Sequence, residues 1–319
     1  MNTDVLKVMA GALIASSFFL FPGCTKNIIN IDLGDTPEVN QGTDNNTGNT
    51  KPALVTFHAT IEGRNMTRSL SPMPKGVASL LFAYKSPITS LDEASAEGLY
   101  VTTSAGILTG ANGYRMYLPN GIYSFYAVSN NSYSTPAQFT DGISHPLING
   151  VDYLWANNKL QDITAQQVSL PILYMHAATQ VVFDVSDGQG LKLNQLVSST
   201  ITPSAPGARM SLIDGNIPPA TSYSTPVNMG INGFRAQYTL LPLKTSIPMQ
   251  LVLKVLVNNE TTARTYTLQV PVPDGELKAG NSYRFSAVID DNSISFSEVN
   301  IVSWTDVDET GKPLYPTQK

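Results

Sequence analysis

The sequence predicts an all-β protein made of two β-sandwich domains in tandem. Apolar and polar residues alternate with a period of two in many short segments, which is the pattern of half-buried strands. The chain also holds 23 glycines and 21 prolines, residues that separate strands with turns. Helical patterns are few, so the spacing of strands and turns favours sandwiches over mixed folds.

The clearest strand is predicted at residues 54–61, where four apolar residues alternate with polar ones. The four are Val55, Phe57, Ala59 and Ile61. Further strands are predicted, in chain order, at 77–84, 122–128, 181–185, 251–257, 266–272, 283–289 and 294–304.

Turn and helix signals complete the pattern. Residues 258–261, Asn-Asn-Glu-Thr, connect two predicted strands and favour a hairpin turn. Residues 89–97 carry a capping signal and are predicted as one short helix or a loop. Residues 191–197 could form a second short helix.

The length of 319 residues suits two domains of ~100–200 residues each. We predict a first sandwich over residues 53–174 and a second over 175–319, with the boundary near 174–178. No repeat of fixed period relates the two halves.

The first 24 residues are typical of a bacterial lipoprotein signal. Lys7 gives a short positive region, and the apolar run at 8–21 is shorter than the ~20 residues that span a bilayer. Gly23 then precedes Cys24, the chain's only cysteine. Cleavage before Cys24 would leave it carrying acyl chains such as palmitate, which bury ~0.8 kcal/mol per CH₂ in a membrane. An ordinary secretory signal with a chance cysteine is the alternative.

Residues 25–52 are predicted to be a flexible linker. The stretch 36–48 is composed of small and polar residues with a single valine, so it offers almost nothing to bury. A tether of this kind after a lipidated cysteine would hold the folded part off the membrane surface.

Charge and composition exclude several classes of protein. Lysine plus arginine number 19 and aspartate plus glutamate 24, so the net charge of −5 gives no electrostatic footprint for nucleic acid. Only 13% of residues are charged and 42% are hydrophobic, which is incompatible with disorder throughout. One cysteine cannot build an internal disulfide framework or a cysteine-based zinc site.

The motifs of catalysis are missing from the sequence, which predicts a protein that is not an enzyme and uses no cofactor or metal. There is no Gly-rich phosphate loop with a following lysine and no G-x-S-x-G elbow. The histidines at 58, 145 and 176 lack metal-ligand spacing. Residues 306–311 begin like a calcium loop, but Thr317 replaces its final glutamate, so a polar tail is the simpler interpretation.

A basic segment directly follows the predicted first strand. Residues 63–72, Gly-Arg-Asn-Met-Thr-Arg-Ser-Leu-Ser-Pro, contain Arg64 and Arg68 among mostly small polar residues. Such a segment is expected to be an exposed loop, which is where proteases cut. An unremarkable basic loop is the alternative.

Further motifs are distributed along nearly the whole chain. They are Thr67-Arg68 after the first strand, Tyr-Ser-Phe-Tyr-Ala-Val-Ser-Asn at 123–130, Asp-Tyr-Leu-Trp-Ala at 152–156, Met-His-Ala-Ala-Thr-Gln-Val-Val-Phe at 175–183 and Leu-Lys-Ala-Gly-Asn-Ser-Tyr at 277–283. In this order and spacing, together with Cys24, they resemble the fimbrillin family, the type V pilin subunits of Gram-negative gut and oral anaerobes. The resemblance implies two tandem domains of the transthyretin-like kind.

The resemblance also implies a mechanism of assembly. Such subunits reach the outer membrane as lipoproteins, and an Arg-specific protease removes the lipidated segment together with the first strand. Here the cut would fall between Arg68 and Ser69, because Arg68 rather than Arg64 matches the family position, and strand 54–61 would leave. The emptied groove would accept a strand from another fimbrial subunit, so that a fibre grows on the cell surface and supports adhesion.

The physical chemistry of strands is consistent with this switch. At ~25 cal/mol per Å², the apolar side chains of strand 54–61 account for several kcal/mol of burial. A replacement strand restores both that burial and the backbone hydrogen bonds.

The identity of the donor strand stays open. The family resemblance implies a donor near the C-terminus, but residues 305–319 contain two prolines, a glycine and only three sizeable apolar residues. The donor could be another segment, or the strand at 294–304 freed by rearrangement. Alternatively the subunit accepts without donating, as a tip would, or stays lipid-anchored at the base.

A second hypothesis is an outer-membrane surface lipoprotein that binds glycans, with a host surface as the receptor. Exposed aromatic residues would carry this function, and the candidates are Trp155, Tyr114 and Tyr117. Core packing is the alternative role for these rings. A hydrolase is the weakest hypothesis, because no nucleophile and base can be paired in the sequence.

Overall fold

The computed structural model describes residues 51–62, 70–291 and 294–304, and these residues form an all-β protein. The predicted all-β class is therefore confirmed, but the first half differs from the sandwich predicted over 53–174, because strand Ala53–Glu62 pairs with strand Gln167–His176 and closes a single sheet into a barrel. The described residues belong to one compact unit that begins at Asn49. None of them form a helix that could cross a membrane.

Nine strands of the first half form one sheet that closes into a barrel. The strands before residue 177 are β1 Ala53–Glu62, β2 Leu70–Pro72, β3 Ala78–Lys85, β4 Ala96–Ser104, β5 Ile107–Gly110, β6 Met116–Leu118, β7 Gly121–Ser129, β8 Phe139–Thr140, β9 Ile143–Ser144, β10 Leu154–Ile163 and β11 Gln167–His176. A short 3-10 turn, Ala111–Gly113, precedes β6. The ring runs β1–β11–β10–β7–β3–β4–β5 and returns to β1, while β2 and β6 add to β1, and β8 pairs only with β9.

The barrel interior is filled by inward-facing side chains from the strands of the ring. Phe57, Leu81, Phe125 and Tyr174 are among its buried members. Along β1 every second residue is buried, from Ala53 onward. This alternation arises because successive side chains of a strand point to opposite faces of the sheet.

The second half is a sandwich of two sheets. Its strands are β12 Thr179–Asp187, β13 Leu193–Ile201, β14 Val227–Asn228, β15 Gly230–Asn232, β16 Arg235–Leu240, β17 Leu243–Lys244, β18 Met249–Val257, β19 Arg264–Val270, β20 Glu276–Leu277, β21 Asn281–Ile289 and β22 Ile294–Ser303. A second 3-10 turn, Pro273–Gly275, precedes β20. One sheet has the order β15-β16-β12-β21-β22 and the other β14-β13-β18-β19, while β17 pairs with β20. Phe183 on β12 and Phe285 on β21 stack in the core between the two large sheets, with ring centroids 5.0 Å apart.

The predicted hairpin at 258–261 is present, and one predicted helix is wrong. Asn258 and Asn259 connect β18 to β19 with φ of 50° and 58°, the left-handed conformation that asparagine tolerates in hairpin turns. Residues 191–197 contribute to strand β13 instead of a helix, because Leu193 and Leu196 are buried in the sandwich core. Residues 89–95 form a loop that leads into β4, one of the two predicted alternatives.

A third group of buried side chains, the junction cluster, joins the outer side of the barrel to the second half. Phe82, Tyr126 and Trp155 come from barrel strands, and Leu212 and Trp304 come from later in the chain. The indole Nε1 of Trp155 donates a hydrogen bond to the carbonyl of Leu212 at 2.7 Å. The barrel strands β3 and β7 and the start of β10 therefore bury both faces, which explains the nearly continuous apolar sequences of β3 and β7.

Candidate functional site: the groove filled by the first strand

Strand β1 is hydrogen-bonded along both of its edges. On one side it runs parallel to β11, with residue pairs from Leu54–Gln167 to Ile61–Tyr174. On the other side it is antiparallel to β6, β5 and β2 in turn. Because β1 closes the ring, its removal would open the barrel and leave unpaired backbone groups on two facing edges.

The inward face of β1 fills a groove in the barrel. Five side chains on this face are each at most 2% exposed: Ala53, Val55, Phe57, Ala59 and Ile61. The Phe57 ring meets Tyr100 edge-on with centroids 5.3 Å apart, and Phe125 at 5.7 Å. Aromatic pairs of this kind contribute ~0.5–1.5 kcal/mol beyond their buried area. The groove thus fits a strand with one aromatic residue centred between smaller apolar ones.

The outward face of β1 is polar. Thr56 and His58 are exposed, and Thr60 and Glu62 are half-buried. What the groove can do chemically is therefore to bind an amphipathic strand in one register, since a slip by one residue would turn the polar side chains inward.

The parallel neighbour of β1 is a functional element that the sequence analysis missed. β11 contains Pro171 and ends close to the predicted domain boundary, which obscured it. Its alternation of Val168, Leu170, Ile172 and Tyr174 was the available signal, and the last three are buried. Parallel pairing joins residues more than 100 positions apart, so no local turn marks it.

The predicted lipidation and processing residues lie outside the described residues. They are Cys24, Arg64, Arg68 and Ser69. In the sequence, Arg68 and Ser69 stand between the end of β1 and the start of β2. Glu62 and Leu70, the residues on either side of that segment, are paired with each other in the sheet. The predicted cut therefore falls in the connection between two hydrogen-bonded strands.

Most arginines of the described residues are engaged by their guanidinium groups. Arg235 and Arg284 both contact the carboxylate of Asp184, at 2.5 and 2.6 Å. Arg264 contacts Glu260 at 2.6 Å and Asp291 at 2.7 Å, and Arg209 donates to the carbonyl of Ser144 at 3.1 Å. Arg115, by contrast, is exposed in the turn that precedes β6, which makes it a matched comparison for Arg68.

The aromatic residues considered for glycan binding differ in exposure. Trp155 is 5% exposed and packs in the junction cluster. Tyr114 is half-buried and meets Tyr100 edge-on at 5.8 Å. Tyr117, on β6, is 49% exposed. Of the three, only the ring of Tyr117 offers a large surface to a ligand from solvent.

A family model described as fimbrillin-like matches residues 67–304. No curated protein matches the chain. Several solved structures share its fold. A candidate cell adhesion protein from Bacteroides ovatus has a TM-score of 0.59 at 16% identity, with 81% of this chain and 99% of that chain covered.

Two other Bacteroides structures give similar values. A candidate cell adhesion protein from Bacteroides uniformis has a TM-score of 0.56 at 16% identity over 79% of this chain and 99% of its own. One from Bacteroides fragilis has a TM-score of 0.55 at 15% identity over 80% and 99%. These identities establish the fold alone, whereas the family match covers well over half of the chain. The chain belongs to the fimbrillin-like family.

Proposed function

We propose that the protein is a structural or tip subunit of a cell-surface fimbria, activated by proteolysis and assembled by strand exchange. Its family supports a fimbrial or adhesin-type surface protein. The observation that carries the finer proposal is the position of β1: it closes the barrel, and Arg68 follows six residues after its end. One cut can therefore detach a strand that fills the core.

The proposed order of events is the one that the family resemblance implies. Lipid on Cys24 anchors the exported chain to the outer membrane. An Arg-specific protease then cuts between Arg68 and Ser69, and the lipidated segment leaves with β1. The groove lined by β11 on one side and by β5 and β6 on the other becomes free for a strand of another subunit.

Cleavage changes the thermodynamics of β1 rather than its contacts. In the intact chain β1 is tethered to β2, so its effective concentration at the groove is in the millimolar range or higher. After the cut, β1 competes with incoming strands by ordinary mass action. A strand with a better fit to the groove then displaces it, which makes the cut an assembly switch.

Several segments are candidates for the donor strand. β22 pairs only with β21 among the described strands, so it is an edge strand, although release of 294–304 would also withdraw the buried Trp304 from its stack on His176. Residues 305–319 lie outside the described residues. The subunit could also accept a strand without donating one, at a tip or at a membrane-anchored base.

We further propose that 53–174 and 175–319 are separate transthyretin-like domains, a division supported by their separate cores.

The test is the N-terminus and intact mass of the protein taken from its native cell surface. We expect a chain that starts at Ser69. Arg68→Ala should yield an unprocessed lipoprotein, whereas Arg115→Ala, which removes an exposed arginine elsewhere, should be processed normally. Normal mass and normal fibre incorporation of the Arg68→Ala protein would refute the cleavage.

A glycan-binding surface lipoprotein is the second candidate, favoured by the exposed ring of Tyr117. A glycan screen with the purified protein distinguishes it. Binding that is lost in Tyr117→Ala and kept in Tyr133→Ala, where the exposed tyrosine is 83% accessible, would support this candidate.

A further inference from the structure

A cavity of about 270 Å³, here called the end cavity, lies at the C-terminal end of β1. Glu62, the last residue of β1, forms part of its wall. Most of the wall comes from elsewhere in the chain and includes Trp155, His176, Asp214 and Trp304. A cavity of this volume has room for one long side chain.

The part of the wall outside β1 is built from fixed groups. The imidazole of His176 stacks on Trp304 with centroids 4.5 Å apart, and its Nδ1 lies 2.8 Å from an oxygen of Asp152. Gly215 lies against the face of Trp155, where an added Cβ would come within 2.5 Å of the ring. The cavity is therefore expected to keep its shape when β1 leaves.

The charges at the end cavity do not favour the residue that β1 places there. Glu62 and Asp214 both belong to the wall, which includes no lysine or arginine, and among the described residues neither takes part in an ion pair. One carboxylate oxygen of Asp214 accepts a hydrogen bond from the backbone N–H of Asn216 at 3.1 Å. A guanidinium or ammonium group at position 62 would instead carry a charge opposite to that of Asp214.

We propose that the end cavity selects one residue of the strand that replaces β1, and that the residue it fits is arginine or lysine. This inference rests on the proposed strand exchange and names the partner: another fimbrial subunit whose strand carries a basic residue at the position of Glu62. The inward face of the same strand carries the small, branched and aromatic side chains that the groove accepts.

The geometry gives this pocket a second role in setting register. Ile61 faces the barrel interior, so Glu62 faces the outer side of the sheet, where the junction cluster lies. A shift by one residue would expose the inward apolar set and also withdraw the basic side chain from the cavity. The groove therefore contacts the inward face of the strand, and the end cavity contacts its outward face.

The first experiment measures thermal unfolding of the full-length protein. Glu62→Arg should raise Tm by about 1–3 °C, and Asp214→Asn should abolish that gain. The matched control is His58→Arg, which places the same charge on the exposed face of β1 away from the cavity and should leave Tm unchanged. A lower Tm for Glu62→Arg, or an equal gain in the Asp214→Asn background, would overturn the preference for a basic residue.

The second experiment tests exchange itself. The protein is nicked after Arg68 and offered labelled peptides of sequence 53–62, either unchanged or with Glu62→Arg. We expect both peptides to enter, and the arginine peptide to bind about fivefold more tightly. Equal affinities would reject the selective pocket and leave strand exchange standing. Failure of both peptides to enter would reject the proposed exchange, and the pocket's role in it.

Discussion

The imidazole of His176 lies parallel to the indole of Trp304, with ring centroids 4.5 Å apart and planes 10° from parallel. His176 ends β11, the parallel neighbour of β1, and Trp304 directly follows β22. Asp152 fixes the imidazole at 2.8 Å through one oxygen and accepts a bond from Asn131 at 2.9 Å through the other. The end of the last described strand is thereby held beside the end of the first one.

We expect Trp304→Ala to lower the free energy of unfolding by about 3–5 kcal/mol, because Trp304 is buried and its removal leaves a cavity in the junction cluster. Trp304→Phe should lose much less stability than Trp304→Ala, since a ring can still stack on His176. Urea unfolding measures both. The control is Ile247→Ala, at a 63% exposed position, which should change stability by no more than ~0.5 kcal/mol. A similar small change for Trp304→Ala would contradict the role of this stack.

Phe57→Ala is expected to destabilise the intact chain by about 3–5 kcal/mol, because the ring fills the barrel between Tyr100 and Phe125. Thr56→Ala, one residue away on the exposed face, should change stability by less than ~0.5 kcal/mol. Equilibrium denaturation of the two variants gives the comparison. Equal effects would mean that β1 does not fold cooperatively with the barrel.

The contrast between Phe57 and its neighbours shows what the sequence could predict. The alternation along 54–61 identified the strand and its buried face, because that pattern depends only on local geometry. The Asn258–Asn259 turn identified a hairpin for the same reason. Closure of the barrel by β11 depends on residues more than 100 positions away, and the end cavity depends on residues from six separate segments. Neither leaves a local signal.

Gly215→Ala should be more destabilising than an ordinary glycine substitution. Gly215 has a φ of +72°, and an added Cβ would lie 2.5 Å from the ring of Trp155. Gly233→Ala is the matched control, because Gly233 also has a positive φ, +59°, but open space around the added atom. Both carry a left-handed penalty of about 1–2 kcal/mol, and Gly215→Ala adds about 1–3 kcal/mol of overpacking. Equal losses in urea unfolding would argue against this close approach.

Cys24→Ala should abolish acylation of the protein. Cells fed a labelled palmitate analogue should incorporate the label into the unprocessed chain, and Arg68→Ala should increase that signal, since its lipidated segment is not removed. The Cys24→Ala protein should carry no label in either background. Label that persists in the Cys24→Ala protein would contradict acylation through Cys24, the chain's only cysteine.

Buried tyrosines predict a loss of stability at alkaline pH. Burial raises the pKa of Tyr84 from 10.0 to about 12, with smaller contributions from nearby Glu97, Tyr126 and Asp92. Burial also raises the pKa of Tyr174, whose hydroxyl shares a hydrogen bond with Ser79. In the unfolded chain these groups ionise near pH 10, whereas the folded protein keeps them protonated to higher pH. Ionisation therefore favours the unfolded state, and their contribution to stability is lost as pH rises from about 10 to about 12.

Urea midpoints measured between pH 8 and pH 12 test this expectation. Ionisation of these tyrosines should leave the urea midpoint unchanged below about pH 10. Above about pH 10 it should lower the midpoint steadily. Tyr174→Phe should be less stable at neutral pH, because the buried hydrogen bond between Tyr174 and Ser79 is lost, but should show a shallower alkaline decline, because one buried phenol no longer titrates. An alkaline slope that is the same in Tyr174→Phe would show that this tyrosine does not set the decline.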